Sequence, residues 1–368
     1  CVGPFARYGE RVIQACIESS THYADITGEV PWIEDMITKY DAKAKEANVA
    51  LLPFAGYDCV PSELGIYLAV KALKNVLAED QKGVDLDNVV KDVTLVFAND
   101  GANSGLPKGT AQTVLDGVNK SFEKKEEADS QPIKKIPFNS PEYESIMSSA
   151  LSTKHFLLPS WSEAQNEYTA PNFMSPINIP VLYRAGPSIG VNSKVLISDR
   201  SRISSSQYSI LSGYGFIPIQ AAILSFMFGL TLLLLPPVRK MLQRMLNTYS
   251  YDGHANGKVI LDTEVTSLIS HSSNSDEKWK GLSRMVLPGD PGVYCTGLLG
   301  ASVASVLLDT TTTTTAEMDS TKATLPPLSG FHSPVDAFST SPDNVDLLEA
   351  YLTQMDSQIT LGATRSSK

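Results

Sequence analysis

The strongest constraint on this chain is the order of its first 65 or so residues, where strand, turn and helix patterns follow one another three times. Cys1-Val2-Gly3-Pro4 reads as the end of a buried strand broken by Gly-Pro, and from Tyr8 onward Val12, Ile13, Ala15, Cys16 and Ile17 take helical spacing. His22 to Ile26 is a short strand ending at Thr27-Gly28-Glu29, and Trp32 to Ala47 is a helix with Trp32, Ile33, Met36, Ile37 and Tyr40 on one face. Val49 to Phe54 is the next strand, closed by Ala55-Gly56-Tyr57-Asp58, and Pro61-Ser62 opens a further helix. Successive parallel strands need a long crossover and a helix supplies it, so this alternation predicts an α/β fold built on a parallel sheet.

In such sheets ligands bind outside the carboxyl ends of the strands. Here those ends are Gly3-Pro4, Asp25 to Glu29, and Gly56 to Cys59. Asp25, Glu29 and Asp58 can converge at the crevice mouth, where a carboxyl serves as a general acid if burial raises its proton affinity. An acidic residue beside Gly also caps the helix that follows, and that reading stays open for all three. Tyr57 and Cys59 either line the pocket or fill the core.

GPFARYGERVIQACIESSTHYADITGE followed by PFAGYDCVPSELG resembles the saccharopine dehydrogenase-like oxidoreductases, a group that includes trans-acting enoyl reductases of glycolipid synthesis. Several short motifs in the right order carry that resemblance across roughly the first 65 residues. Asp100 to Thr110, Leu287 to Tyr294 and Phe331 to Phe338 resemble landmarks of the family's substrate domain. The resemblance implies an NAD(P)-dependent oxidoreductase, with NADP or NAD as cofactor. It implies cofactor contacts at Val2, Gly3, Pro4, Thr27, Gly28, Gly56 and Tyr57, and Asp25 and Asp58 as the catalytic candidates. In the family the phosphate-binding glycines precede the Gly-Pro motif, so the chain is expected to be N-terminally truncated and to lack the phosphate side of the crevice. The glycine-dense stretch Gly101 to Thr110 contains Pro107 and does not fit a G-x-G-x-x-G turn; it reads as a loop entering a helix capped by Thr110.

The full expectation is an incomplete Rossmann-type parallel sheet (1–75), then an α+β substrate domain with a mixed sheet, in two parts (76–210 and 249–308). An apolar helical insertion (211–248) divides those parts, and a threonine-rich loop and return segment (309–368) closes the chain. Ile177 to Tyr183 and Lys194 to Ile197 are expected as strands, as are Lys258 to Thr266 and Trp279 to Val286, joined by the turn Ser270 to Ser275. Val93 to Ala98 is a further strand, Glu123 to Pro141 a polar surface excursion, Val293 to Leu308 a helix, and Thr310 to Thr315 a disordered loop.

Phe216 to Val238 contains no charged residue and is followed by Arg239, Lys240 and Arg244. As a straight helix it would span about 34 Å, but the stretch between Pro218 and Pro236 spans only about 26 Å, at the lower limit for a crossing. A crossing would also separate Gly289-Asp290-Pro291-Gly292 from the rest of its domain. Membrane dipping, burial and spanning stay open, with a membrane or lipid-droplet surface the expected partner through 216–238.

A net charge of −10 with no Lys/Arg stripe argues against nucleic acid as a partner. Cys1, Cys16, Cys59 and Cys295 form no CxxC pair, which suits a reducing compartment, and the five histidines show no metal-ligand spacing. Two function classes follow. One is an oxidoreductase that takes a nicotinamide dinucleotide and a hydrophobic or lipid-linked substrate, with homodimerisation open. The alternative is a membrane- or lipid-droplet-associated protein of the same fold without turnover.

Overall fold

The computed structural model describes residues 4–57, 59–80, 85–86, 88–101, 107–116, 160–203, 232, 235–270, 276–316 and 328–366, with short gaps inside some of these ranges. The strand-to-helix alternation is present at the start of the chain. Helix α1 (Phe5–Glu18) leads to strand β1 (Tyr23–Ala24), α2 (Val30–Glu46), β2 (Ala50–Leu52) and α3 (Val60–Asp80). Pro31 lies in the first turn of α2 and Pro61 in that of α3, where the missing N–H costs no helical bond. Gly9 lets α1 approach α2, because a Cβ there would fall 2.5 Å from the Trp32 ring.

β1 and β2 pair in parallel, Tyr23 opposite Leu51, and the neighbour on the far side of β2 is β9 (Gly330–Phe331), with Ala50 opposite Gly330. The third strand therefore comes from the far end of the chain. Ile13, Ile33, Met36, Leu51, Phe54 and Phe331 form one apolar cluster around this small sheet.

The larger sheet has seven strands in the order β10-β8-β7-β3-β6-β5-β4. They are β3 (Val90–Asp100), β4 (Ser160–Ser162), β5 (Glu167–Pro171), β6 (Leu196–Arg202), β7 (Lys258–Ser270), β8 (Asp276–Pro288) and β10 (Gln358–Ser366). β3 runs parallel to β6 and antiparallel to β7, which makes the sheet mixed. The β7–β8 hairpin pairs Lys258 with Pro288 through to Ser270 with Asp276, so the expected strand pair is real and extends further at both ends. Val259, Leu261, Val265, Met285 and Leu287 of this hairpin join Leu64, Leu68 and Leu73 of α3 in the main core. Gly281 makes the contact with α3 possible, since a Cβ there would sit 2.1 Å from the Ala69 carbonyl. An α/β class with a parallel sheet followed by a mixed one is thus what the chain adopts.

Three local expectations are corrected. Ile177 to Tyr183 lies inside helix α4 (Ser175–Ala185), despite its branched residues and the internal Pro180. Asn178 through Tyr183 are buried without a break, which erases the polar face that marks a helix in sequence. The threonine run is helical in backbone as the last part of α6 (Thr296–Ala316), not a loop. Thr310 bonds back to the Val306 and Leu307 carbonyls at 2.9 and 3.0 Å, so its hydroxyl is accommodated by the helix. Thr110 does not cap a helix, because the short helix around 108–116 already begins at Lys108.

Helix α5 (Pro236–Thr248) follows the apolar run, most of which lies outside the described residues, as does Glu123 to Pro141. Pro291–Thr310 is long and apolar enough to cross a membrane, with a mean hydropathy of 1.5. Its Cys295, Leu299, Val303 and Val306 are nonetheless wholly buried in the core. After β9 the chain forms α7 (Pro334–Phe338) and α8 (Pro342–Gln354), which return it to β10 at the sheet edge.

Candidate functional site at the carboxyl ends of the parallel strands

Asp25 leaves β1 directly into the crevice and is buried. Its backbone joins both strand ends: its N–H donates to the Leu52 carbonyl at 3.1 Å, and its carbonyl accepts from Ala55 N–H at 2.7 Å. Its carboxylate accepts from Thr27 N–H at 3.0 Å and from the Tyr23 hydroxyl. Burial pushes its pKa up to about 6, against the hydrogen bonds from Tyr23 and from the backbone of Thr27 and Phe54, while the Glu29 charge raises it further. Phe54, at the end of β2, holds φ at +66°, an unusual conformation for a bulky residue, and is nevertheless buried. A carboxyl that titrates near neutrality beside a strained backbone can hold or release a proton under ordinary conditions.

Glu29 behaves differently from expectation. Its backbone takes the N-cap position of α2, but its side chain makes no cap bond there. It crosses instead to α1, accepting from Phe5 N–H at 2.7 Å and Ala6 N–H at 3.0 Å, and from the Thr113 hydroxyl at 3.2 Å. The positive end of α1 is thereby filled by a carboxylate of the protein itself, so an anionic ligand group would have to displace Glu29 to use it.

The other candidates fall into two layers. Thr27 is buried, with its hydroxyl accepting from Glu29 N–H at 3.1 Å. Gly56 is buried too, and a Cβ there would press on Thr296 at 3.2 Å and Ile26 at 3.4 Å, so these two residues form the floor. Pro4, Gly28 and Tyr57 are half-buried at the rim, with the Tyr57 N–H directed at the Thr296 hydroxyl at 3.4 Å and its ring set edge-on to Phe97. Val2, Gly3 and Asp58 lie outside the described residues.

Three groups that sequence reasoning did not single out help to build this end of the molecule. Asp290 is fully buried and accepts from the N–H groups of Gly292, Val293 and Tyr294 at 3.0, 2.9 and 3.1 Å, and from the Tyr251 hydroxyl at 3.1 Å. It thus fixes the turn Pro291–Cys295 that enters α6; Asp before Pro at a helix start was the available signal. Glu63, fully buried in the first turn of α3, accepts from Val335 N–H at 3.0 Å, and burial pushes its pKa up to about 8. His332, just beyond β9, pairs with Asp336 at 2.9 Å. Burial pulls the His332 pKa down, but the Asp336 carboxylate outweighs it and the net shift is upward. No local pattern marked Glu63, because its partner Val335 lies 272 residues away in the chain, whereas the partner of His332 is four residues on, at helical spacing.

A groove of about 760 Å³ lies elsewhere, on the outer face of the larger sheet. Among its charges Lys280 pairs with Glu264 at 2.8 Å and Arg284 with Asp262 at 2.8 Å, and the same sheet buries a carboxyl of its own in Asp199, whose pKa burial pushes up to about 6. Among the described residues no group of three or more His, Cys, Asp or Glu is placed to hold a metal ion.

No protein-family model matches the chain. It is 36% identical over 117 residues to a lipid droplet localized protein of Caenorhabditis elegans, covering 32% of this chain and 25% of that one. It is 47% identical over 66 residues to a saccharopine dehydrogenase-like oxidoreductase of Bos taurus, covering 18% of this chain and 15% of that one. Saccharopine dehydrogenase (L-Glu forming) of Saccharomyces cerevisiae aligns in structure over 98% of this chain and 83% of its own, at 15% identity and a TM-score of 0.39. The resemblance to saccharopine dehydrogenase-like oxidoreductases thus holds at the level of sequence, and the chain matches a quarter or less of the length of these two curated relatives.

Proposed function

We propose that this chain carries the nicotinamide-facing part of an NAD(P)-dependent oxidoreductase acting on a hydrophobic, lipid-linked substrate. The observation that carries this reading is Asp25, a buried carboxyl with a pKa near 6 at the joined ends of two parallel strands. When bound, a nicotinamide dinucleotide supplies the hydride chemistry. The residues of the chain do the rest. Pro4, Gly28 and Tyr57 form a rim against which a flat ring can lie, with Thr27 and Gly56 beneath and Val2 and Gly3 adjoining in sequence. Asp25 holds or moves a proton at its carboxyl oxygen, with Tyr23 fixing that oxygen and Asp58 as the second acidic candidate. Identity to proteins named as oxidoreductases supports the reading.

Titration of the chain with NADPH and with NADH, followed by calorimetry, tests it. Saturable binding of one cofactor, weakened by Gly28→Val, is expected. If neither the chain nor a longer form that contains it binds either cofactor, the reading fails.

The alternative, a membrane- or lipid-droplet-surface protein without turnover, draws on the apolar run Phe216 to Val238 and on the name of the nematode relative. Cofactor binding without any turnover, in the presence of lipid-linked acceptors, would favour it.

A further inference from the structure

Helix α5 turns outward a face that is both apolar and cationic, with Lys240, Met241, Arg244 and Met245 exposed while Val238, Leu242 and Leu246 are half-buried. At 3.6 residues per turn Val238, Met241, Leu242, Met245 and Leu246 share an arc of about 140°, and Gln243 and Asn247 lie on the opposite side. A helix of a soluble domain normally turns its apolar arc inward. Here only one side of the arc, Val238, Leu242 and Leu246, is half-buried together with Gln243, and Met241 and Met245 face outward. The Gln243 and Gln112 amides exchange two hydrogen bonds at 2.8 and 3.0 Å, and Lys108 donates to the Asn247 carbonyl at 3.4 Å. No residue of α5 is buried, and Met241 and Met245 are 55% and 57% exposed.

Charge says what covers this face. The chain carries a net −10, yet no Asp or Glu occurs between Arg200 and Tyr251, while Arg239, Lys240 and Arg244 fall within α5. Arg244 and Lys240 follow Met241 around the helix by about 60° and about 100°, on the same exposed side. Cationic side chains beside outward methionines match an anionic bilayer surface, where the methionines enter the headgroup boundary and the cations reach the lipid phosphates.

The same short helix that holds α5 also reaches the crevice. Thr113 bonds to Glu29, and Arg7 of α1 pairs with Asp116 at 2.7 Å, within one or two turns of Gln112. We propose that α5 lies in the plane of an anionic lipid surface and, through the helix around 108–116, holds the mouth of the Asp25 crevice at that surface. This inference rests on the proposed membrane contact and not on cofactor binding.

Flotation of the whole chain with vesicles of phosphatidylcholine alone, and with added phosphatidylserine, tests it. Binding should favour the anionic vesicles. Lys240→Glu with Arg244→Glu should reduce that binding by at least about 25-fold, at about fivefold for each cation lost. Met241→Asp with Met245→Asp should reduce it at least about tenfold. Circular dichroism and NADPH affinity should not change in either variant, which separates loss of docking from unfolding and from failure of the cofactor reading. Leu224→Asp with Phe228→Asp probes the apolar run on its own. If that variant fails to float while both α5 variants float like the parent, the α5 inference is overturned and the contact through the run survives. If the unmodified chain does not float, both are overturned. If Met241→Asp with Met245→Asp instead dissolves a dimer in solution and leaves flotation unchanged, a second copy is the occupant and the inference is overturned.

Discussion

The two sheets of this chain bury their residues by opposite means. The parallel sheet has strands of two, three and two residues, closed over on both sides, and its strand ends carry Asp25, Phe54 and His332. The seven-stranded sheet is built on a hairpin of two thirteen-residue strands that alternate between α3 and the charged outer face. Short strands covered on both faces expose little but their ends, so polar groups are forced into partial burial there and their proton affinities shift. Long alternating strands let charge stay in water, and the outer face pairs its ions at little gain. Cohesion therefore resides mainly in the second sheet, although it too buries a carboxyl, Asp199 on β6, whose pKa burial pushes up to about 6.

The largest test of this division is at the contact between α3 and β8. Gly281→Ala places a methyl against the Ala69 carbonyl, which is backbone and cannot yield, so a loss of about 3 kcal/mol is expected in urea denaturation. Gly9→Ala, the matching change beside the small sheet, meets the far edge of the Trp32 ring, which can tilt, and should cost nearer about 1 kcal/mol. Equal losses would refute the claim that cohesion resides mainly in the larger sheet.

Asp25→Asn should act next most strongly, and in the opposite direction. The folded chain holds this proton more tightly than the unfolded chain, whose value is 3.8, so stability is fullest below about pH 4 and declines as pH rises through about 6. Removing the charge should raise stability at pH 8 by about 2 kcal/mol and leave it nearly unchanged at pH 3.5. Unfolding midpoints at the two pH values decide this, and a variant destabilised at pH 8 would show that the carboxylate is not the strained group.

Glu63→Gln follows the same logic at higher pH. The folded chain holds this proton up to about pH 8 while the unfolded value is 4.5, so the variant should match the parent below about pH 4, gain on it steadily as pH rises to about 8, and gain no more beyond. A variant no more stable than the parent at pH 7 would contradict it. The smallest effect is expected on the outer face, where Lys280→Ala should cost less than about 1 kcal/mol, since its partner Glu264 stays partly in water.

Much of the architecture was legible because periodicity survives wherever one face of an element meets water. The β7–β8 hairpin and helices α1, α2 and α3 stood where the pattern put them. The pattern failed where that contrast is lost. Buried nearly throughout, α4 has no polar stripe to betray it, and the threonine run could not show that an established helix would carry its backbone on. For the site, the motif order located Asp25 and Gly56 but not the direction of the Glu29 side chain. Its α1 partners are 24 and 23 residues away in sequence.

By itself, then, the sequence determined which segments are strands and helices near the start of the chain, and that their carboxyl ends face one crevice, because local spacing and turn residues encode both. Only the tertiary structure decided that Gly330–Phe331 completes the small sheet, that Asp25 and Glu63 are buried enough to hold their protons, and that α5 exposes Met241 and Met245 beside Lys240 and Arg244. Each of these depends on what a distant segment covers or leaves uncovered. Proton affinity and exposure are set by neighbours in space, which local sequence does not name.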